Sequence, residues 1–302
     1  MKKILVVTSS NDRTVDYIQS KYRDVCFIRF NVDLFYEYKI VVTNDSIKLS
    51  CNEYEYTLSS QDAIYYRKPN LPDLTNVLSN EYHDFVYREV FSTMDGIVEL
   101  HSGVCLTKPS LLRKANNKIY QVCVARKIGF NLPKMAITNS RDDIKAFLAD
   151  ESIVKPIASG EIIHTNEKEF VQTNLIDATL SLDKLRYCPA YFQLFVRKDF
   201  DVRIVFVGRK AFSFAIYSTN NVDWRKPDAE NKYSVIEIPS QIYSMCCEML
   251  DEVGMRFGCF DFIVKGTDYY FLELNANGQW AWLEFETGIN ISGEIVRELL
   301  YG

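Results

Sequence analysis

The sequence has few of the residues on which many enzyme sites depend. Only 3 histidines occur among 302 residues, and His83, His101 and His164 are too far apart for a metal-binding motif. A G-x-S-x-G sequence is absent, so a hydrolase triad is not indicated. The glycine-rich sequences G-x-x-x-x-G-K-[ST] and G-x-G-x-x-G are absent as well. These absences argue against P-loop nucleotide binding and against histidine-dependent hydrolysis.

Long apolar segments are also missing. The N-terminal run Ile4–Val7 turns polar at Thr8, which makes it too short for a signal sequence or a membrane span. The 8 cysteines include no C-x-x-C pair, and most lie in apolar runs, so we expect neither disulfides nor a zinc site. We therefore expect a cytoplasmic protein without a membrane partner.

The charge is unevenly distributed along the chain. The net charge is −5, yet the stretch from His101 to Arg141 contains eight Lys or Arg residues and no acidic residue. Such a stretch either attracts an anionic ligand or forms a basic helix face that acids elsewhere neutralise. Because the whole chain is acidic and lacks a basic stripe interleaved with aromatic residues, nucleic acid is not an expected partner.

The pattern of apolar runs divides the chain into three parts. Residues 1–108 alternate short strands with helical segments, which is typical of an α/β domain with an open sheet. Residues 109–190, interpreted as a central domain, begin with one long helix over 110–128. Residues 191–302, interpreted as a C-terminal domain, are mostly strands, the first of which is expected at 191–197.

The segment 260–275 predicts a β-hairpin, because two apolar strands flank a glycine-containing turn. With a three-residue loop over 266–268, Asp261 faces Glu273, and Asn275 shares the face of Glu273 because side chains alternate along a strand. Facing carboxylates repel unless something lies between them, and oxygen ligands of this kind suit Mg²⁺. The pattern therefore indicates a magnesium site; the alternative is an exposed face with two unrelated acids.

Further patterns place cations where they could bind an anion. Asp201 and Arg203 alternate with apolar residues and so share one face of a strand. An arginine fixed there can clamp a phosphate or a carboxylate, and a purely structural Asp–Arg pair is the alternative. Lys118 opens an apolar helix and Lys155 ends a buried strand, which sets both apart from ordinary solvated lysines.

In their order and spacing, these segments resemble an ATP-grasp ligase from about Lys108 to the C-terminus. Within that superfamily the sequence is similar to the graspetide synthetases, which mature microviridin-type peptides. The segments that carry this similarity are Tyr66-Arg67-Lys68-Pro69, Lys198-x-x-Asp201-x-Arg203, Val222-Asp223-Trp224-Arg225 and the run ELNANGQW at 273–280. The resemblance implies an ATP-grasp fold of the α/β (α+β) class, with ATP held between the central and C-terminal domains.

The resemblance also implies roles for individual residues. Those implied for ATP are Lys118, Lys155, Ser159, Gly160, Gln193, Phe195 and Val196. Those implied for Mg²⁺ are Asp261, Glu273 and Asn275. Those implied in the chemistry are Arg203, Lys198 and Asp201. Those implied in binding the peptide substrate are Arg67, Lys68, Asp199 and Arg225, with Asp199 and Asp201 able to receive a basic residue of its leader segment.

The implied activity uses ATP and Mg²⁺ to activate Asp or Glu side chains of a ribosomal precursor peptide as acyl phosphates. A Thr or Ser hydroxyl would then close an ester, or a Lys amine an amide, and the peptide would carry a leader and an acidic core. One alternative is an ATP-grasp ligase that adds an amino acid to a protein or peptide terminus. Another is a non-catalytic peptide-binding module of the same fold, and a homodimer is left open.

Overall fold

The computed structural model describes residues 2–158, 160–163, 168–171, 173–176 and 181–302. Ser159, which the resemblance places against ATP, lies outside the described residues. Helices and strands are mixed along the described ranges, as the sequence predicts. Among the helices in these ranges, none combines the length and the apolar character needed to cross a lipid bilayer.

A parallel sheet forms the centre of the N-terminal part. The elements of this part are β1 (Ile4–Thr8), α1 (Arg13–Lys21), β2 (Phe27–Asn31), β3 (Lys39–Val42), β4 (Ile47–Ser50), β5 (Glu55–Thr57), β6 (Ala63–Tyr66), α2 (Asn80–Leu100) and β7 (Cys105–Leu106). The parallel sheet has the order β2-β1-β6-β7, and β3, β4 and β5 form a separate antiparallel sheet. Every residue of β1 is buried, which explains its uninterrupted apolar run.

Two further sheets follow along the chain. The middle part contains α3 (Pro109–Asn116), α4 (Lys118–Ile128), β8 (Met135–Thr138), α5 (Lys145–Ala149), β9 (Ser152–Lys155), β10 (Glu161–Ile163), β11 (Lys168–Phe170), β12 (Asn174–Leu175) and β13 (Ala190–Leu194). The last part contains β14 (Phe200–Val207), β15 (Lys210–Ser218), β16 (Asn231–Val235), α6 (Ser240–Val253), β17 (Phe257–Lys265), β18 (Asp268–Asn275), α7 (Ala281–Thr287) and α8 (Ile291–Tyr301). The middle part forms a four-stranded sheet with the order β12-β9-β13-β8, and β10 pairs with β11. The last part forms a five-stranded sheet with the order β16-β15-β14-β17-β18. Short 3₁₀ helices lie at Val32–Glu37, Asp142–Ile144 and Leu185–Tyr187.

The single helix expected over 110–128 is two helices, so that prediction was wrong at Asn117. Asn117 adopts φ −74° and ψ 108°, and its side chain accepts a hydrogen bond from the backbone N–H of Tyr120. An asparagine in this conformation ends α3 and caps the start of α4. Both helices pack against β18, and α4 also packs against α6. The domain boundaries predicted at 108 and 190 stay a prediction.

The hairpin of β17 and β18 differs from the expected one in its turn. Lys265 pairs with Asp268, so the turn has two residues, and Gly266 occupies the left-handed region with φ of +61°. A β-bulge at Leu272 then shifts the register, and Asp261 faces Glu273 as expected. The expected three-residue loop was wrong, but the bulge restores the same pairing of carboxylates.

The N-terminal and C-terminal parts share one hydrophobic core. Trp280 is fully buried and belongs to a cluster that includes Val6 of β1 and Val205 of β14. Beside this cluster, Glu284 of α7 accepts hydrogen bonds of 2.6 Å from the Lys21 ammonium group and the Tyr17 hydroxyl. The Glu284 side chain is 4 % exposed and that of Lys21 is 34 % exposed, so α1 and α7 are joined by a partly buried ion pair.

We expect Lys21→Met to destabilise the protein by about 1.5–3 kcal/mol, because the buried Glu284 carboxylate loses a charged hydrogen-bond donor. Chemical denaturation measures this change. Lys127→Met is the control, because Lys127 makes a 3.5 Å pair with Glu252 in which both side chains are well exposed. Such a pair contributes about 0–1 kcal/mol, so equal effects of the two substitutions would contradict the prediction.

Candidate active site

A cavity of about 420 Å³ lies between the sheet of β9 and β13 and the sheet of β14, β17 and β18. We call it the first cavity. It brings together nine of the residues singled out from the sequence, which are Lys118, Lys155, Gly160, Gln193, Asp201, Arg225, Asp261, Glu273 and Asn275. Residues separated by more than 150 positions in the chain thus share one wall.

Two carboxylates form the centre of this wall: Asp261 is buried, and the Glu273 side chain is 18 % exposed. Arg225 Nη2 lies 2.8 Å from Asp261 Oδ2 and 3.2 Å from Glu273 Oε1. Asn275 Nδ2 donates to the same two oxygens at 2.7 and 3.2 Å. The carboxylate oxygens therefore converge on a place where the structure puts a cationic guanidinium group.

The same donor set fits a divalent cation. The described residues contain no group of three or more His, Cys, Asp or Glu that could hold a metal. Asp261, Glu273 and Asn275 instead offer two carboxylates and one amide, all with oxygen atoms, and Mg²⁺ is often bound by one or two carboxylates together with phosphates. Asp261 Oδ1 is buried and makes no hydrogen bond within the described residues, although the Arg203 guanidinium group lies 3.4 Å away in an ion pair.

Lys118 reaches this centre because α4 is tied to β18. The Lys118 ammonium group lies 2.6 Å from Glu273 Oε2. One turn further along α4, the buried Gln121 side chain accepts from the backbone N–H of Leu274 at 2.8 Å and donates to its carbonyl at 2.9 Å. Burial would raise the pKa of Glu273, but Lys118 and Arg225 hold it well below its usual range.

Lys155 lies on the opposite sheet, at the end of β9. Its ammonium group is 4.3 Å from the centre of the Tyr191 ring, and no ion pair of Lys155 is found within the described ranges. Burial lowers the pKa of Lys155 to about 8, although the Glu273 carboxylate opposes this shift. Lys155 is thus a desolvated cation that faces the first cavity and is available to an anion.

Arg203 does not pair with Asp201, which was the structural alternative considered from the sequence. In the register of β14 and β17, Arg203 stands opposite Asp261, and its Nη1 lies 3.4 Å from Asp261 Oδ1. Asp201 pairs with Lys198 at 2.6 Å, and both side chains are nearly buried. Burial raises the pKa of Asp201 to about 6, although the charge of Lys198 acts to lower it.

A second cavity, of about 570 Å³, adjoins the first and shares Trp224, Arg225 and Asn275 with it. Arg203 and Lys68 also line this second cavity. The Arg225 and Arg203 guanidinium groups lie 5.3 and 6.0 Å from the Trp224 ring, and the Trp224 and Trp282 rings are 5.3 Å apart. Both guanidinium groups therefore make cation–π contacts with Trp224 at the boundary between the cavities.

A third, smaller cavity of about 360 Å³ continues beyond Lys68 and Gln279. Arg67 lies in its wall but is 1 % exposed. Its guanidinium group lies 3.1 Å from Asp12 and donates to Gln279 at 2.7 Å. Arg67 therefore holds Gln279, the residue before Trp280, in place. Lys68, in contrast, is open to the cavities.

Four other predicted residues lie away from the cavity walls. Phe195 and Val196 follow the end of β13 and do not line the first cavity as far as the structure describes it. Asp199 accepts a hydrogen bond from the backbone N–H of Gly266 at 2.7 Å and thereby holds the hairpin turn. Within the described ranges, Lys198 contacts the site through its ion pair with Asp201.

Sequence reasoning missed several residues that shape the site. Gln121 was read as part of an apolar helix, and only its contacts with β18 reveal its function. Trp224 lies in the segment Val222-Asp223-Trp224-Arg225 that resembles the graspetide synthetases, but the sequence alone predicts no role for it. A polar residue within an apolar helix, such as Gln121, was the available signal, because a buried amide must find partners.

Comparison with a family model and with solved structures identifies the fold of the chain. A model of the RimK-like ATP-grasp domain matches residues 115–299. Among solved structures, the chain is similar to a RiPP-associated ATP-grasp ligase of Chryseobacterium gregarium in complex with ADP and a leader and core peptide. The identity is 29 % and the TM-score 0.89, over 99 % of this chain and 96 % of the other.

Two more structures extend the comparison. The macrocyclase MdnC of Microcystis aeruginosa MRC, bound with the precursor peptide MdnA, is 25 % identical, with a TM-score of 0.87 over 99 % of both chains. D-alanyl-alanine synthetase A of Vibrio cholerae is 12 % identical and shares the fold alone, with a TM-score of 0.61 over 99 % of this chain and 98 % of the other. No curated protein sequence matches the chain. The predicted ATP-grasp fold is confirmed by these matches.

Gly278 is required for the position of Arg203. A Cβ atom there would lie 2.5 Å from Cys259 Cβ and 3.0 Å from Arg203 Nη2. We expect Gly278→Ala to destabilise the protein by about 1–3 kcal/mol, as overpacking of a buried site does. Gly96→Ala is the control, because nothing lies within 4 Å of a Cβ at that position of α2. It should stabilise the protein by about 0.4–1 kcal/mol, and denaturation curves in which both variants shift alike would refute the prediction.

Proposed function

Because the chain belongs to the RimK-like ATP-grasp family, we propose that it is an ATP-dependent ligase that closes rings in a ribosomal precursor peptide. The proposal is supported by the titles of the similar structures, which describe ADP, leader and core peptides and macrocyclases. The observation that carries it is the pair Asp261 and Glu273, set among cations at the boundary between two cavities. One cavity suits a nucleotide and the other a peptide.

In this proposal the first cavity binds ATP. Lys118 and Lys155 supply positive charge from opposite sides of the cavity, and Gly160 and Gln193 also line it. Charge-assisted contacts with phosphate oxygens are the strong ones, and phosphoryl transfer depends mainly on positioning and on neutralised charge. The nucleotide would thus lie between the middle and C-terminal sheets.

Asp261, Glu273 and Asn275 would hold Mg²⁺. When bound there, the ion neutralises phosphate charge and orients the transferring group. The Arg225 guanidinium group would move away from Asp261 and Glu273, because both cations need the same two oxygens. It would then face the second cavity, which it already lines.

The chemistry needs a carboxylate of the peptide beside the nucleotide. An oxygen of an Asp or Glu side chain attacks the γ-phosphorus, the bond to the leaving ADP oxygen breaks, and an acyl phosphate forms. Arg203 and Arg225 stand where this charge develops, and a planar guanidinium group can hold two oxygens in register. We assign Lys198 an indirect role, since its partner Asp201 rather than Lys198 itself lines the cavity.

A second nucleophile from the peptide completes the ring. Phosphate leaves as the acceptor oxygen or nitrogen attacks the acyl carbon. A leader segment on the same peptide would fix the core near the second cavity.

The test is incubation with ATP, Mg²⁺ and the acidic peptide encoded beside this gene. We expect one ADP and the loss of one water from the peptide for each ring, both followed by chromatography and mass spectrometry. A mass increase by one amino acid would instead identify a ligase that joins separate molecules. Peptide binding without ADP formation would identify a non-catalytic module.

Glu273→Gln should lower turnover by at least about 100-fold, because a neutral amide replaces one of the two carboxylates that would hold Mg²⁺ at the phosphoryl-transfer site. Initial rates of ADP formation measure this loss, and circular dichroism checks that the variant folds. Glu252→Gln is the control, since the exposed Glu252 carboxylate lies outside the described walls of both cavities and pairs with the exposed Lys127. Normal turnover in Glu273→Gln would rule out the magnesium assignment.

The pKa of Lys155, about 8, predicts how nucleotide affinity depends on pH. The protonated amine attracts phosphate, and bound phosphate raises the pKa of Lys155, so affinity is full below pH 8 and falls above it. We expect ADP to bind about tenfold more weakly at pH 9 than at pH 7, as calorimetry can measure. Lys155→Arg should remove this dependence, because the guanidinium group stays protonated. An unchanged slope in that variant would assign the titration to another group.

A further inference from the structure

The oxygen atoms suited to a divalent cation are bridged by a guanidinium group of the chain itself. Arg225 Nη2 lies 2.8 Å from Asp261 Oδ2 and 3.2 Å from Glu273 Oε1. One nitrogen atom thus contacts both carboxylates from between them, as a shared metal ion would. Arg225 and a divalent cation cannot use these two oxygens at the same time, because their positive charges repel strongly at such short distances.

The Asn275 amide is oriented in the same way. Its Nδ2 group donates to Asp261 Oδ2 at 2.7 Å and to Glu273 Oε1 at 3.2 Å. A hard cation binds the oxygen of an amide and not its NH₂ group. The Asn275 amide must therefore turn over before its oxygen can face an ion. Two side chains thus present N–H groups to the carboxylate oxygens that a metal ion would need.

The groups in ion-pair contact with the two carboxylates already exceed them in charge. Lys118 lies 2.6 Å from Glu273 Oε2, and Arg203 Nη1 lies 3.4 Å from Asp261 Oδ1. Together with Arg225, three cations face two carboxylates. A divalent cation that arrived alone would therefore meet a pair of carboxylates whose charge is already compensated, and three positive groups would repel it.

Of these three cations, Arg225 has the side chain that is most free to move. It is 43 % exposed, whereas the Lys118 side chain is 17 % and the Arg203 side chain 6 % exposed. The backbone of Arg225 is fixed in the segment between β15 and β16, because its N–H donates to Asp223 Oδ1 at 3.0 Å. The guanidinium group can therefore swing toward the second cavity, which Arg225 also lines, while the backbone stays in place.

We propose that Arg225 is an internal substitute for the metal ion, which keeps divalent cations off Asp261 and Glu273 until the phosphates of a nucleotide arrive. This inference rests on the proposed ligase function and makes Arg225 a determinant of selective metal binding. Phosphate oxygens bring negative charge that can balance both the guanidinium group and an ion. Arg225 then exchanges its carboxylate partners for an anionic group of a ligand, and the two carboxylates become available.

The first test uses Mn²⁺ without nucleotide, because electron paramagnetic resonance measures the free ion directly. Arg225→Ala should bind Mn²⁺ at least about tenfold more tightly than the unmodified protein, since a positive charge a few ångströms from the ion is removed. Arg209→Ala is the matched control, because Arg209 pairs with Asp251 at the surface and lies outside the described walls of both cavities. Its affinity for Mn²⁺ should equal that of the unmodified protein.

A chemical rescue separates occupation of the site from a general loss of positive charge. In Arg225→Ala, free guanidinium ion at non-denaturing concentrations should weaken Mn²⁺ binding again, because it can enter the space left by the side chain and bridge the same two oxygens. Sodium chloride at equal ionic strength controls for screening. If guanidinium and sodium ions act alike, Arg225 does not occupy the position of the ion, and the proposal fails.

Nucleotide should remove most of the difference between the two proteins. With saturating ADP we expect the gain in Mn²⁺ affinity from Arg225→Ala to fall to about threefold or less, because phosphate charge offsets the displaced guanidinium group. The same resonance measurement gives this value. An equal gain with and without ADP would mean that Arg225 opposes the ion in both states, which contradicts its release by nucleotide.

None of these measurements depends on turnover, so they separate this inference from the proposed function. Equal Mn²⁺ affinity of the unmodified protein and a folded Arg225→Ala variant, as judged by its thermal midpoint, would overturn the inference. Arg225→Gln replaces the alanine variant if that one unfolds. The ligase function stands in that case as long as the unmodified protein forms ADP and closes rings. Absence of both reactions with every acidic peptide would overturn the ligase function itself.

Discussion

Two carboxylates that face each other inside a protein must be neutralised, and the described structure around Asp261 and Glu273 is arranged to do this. Like charges on paired strands repel, and burial removes the water that would screen them. Four elements each bring a cation or a donor to the pair: β14 carries Arg203, the segment after β15 carries Arg225, α4 carries Lys118, and β18 itself carries Asn275. Each carboxylate has more than one partner among these groups, so removal of any one of them would leave the pair less completely neutralised.

This requirement explains features that seem unrelated to chemistry. The break between α3 and α4 starts a new helix at Lys118, and Gln121 then fixes that helix to the backbone of β18. Gly278 leaves space for Arg203 beside Cys259. Each of these local features holds a charged group within reach of the carboxylate pair.

The distribution of charge between the cavities matches the order of the reaction. The first cavity combines acids with cations, so it can accept a nucleotide together with a metal ion. Every charged residue described in the wall of the second cavity is a cation, and in the proposed reaction these groups would attract a peptide carboxylate to the same boundary. The N-terminal part supplies Lys68 to this second cavity, and the hydrophobic core around Trp280 joins that part to the C-terminal sheet.

The sequence by itself determined the elements whose periodicity is local. The buried strand β1, the open N-terminal sheet and the alternation that places Glu273 and Asn275 on one face all follow from short-range patterns of apolar residues. The order of the motifs also identified the ATP-grasp fold. Local pattern failed where a polar residue could begin a new element, as Asn117 does, or where a bulge changed the register, as Leu272 does.

Only the tertiary structure decided which charges meet. Arg203 pairs with Asp261 rather than Asp201 because of the register between β14 and β17, and Arg225 reaches both carboxylates across a turn of the chain. Arg67 and Asp199, both expected to contact substrate, make hydrogen bonds within the protein, and their contact with substrate stays a prediction. The physical reason is that an ion pair depends on the distance between side chains of separate elements. Strand register and helix docking set that distance, and neither can be predicted from the local sequence.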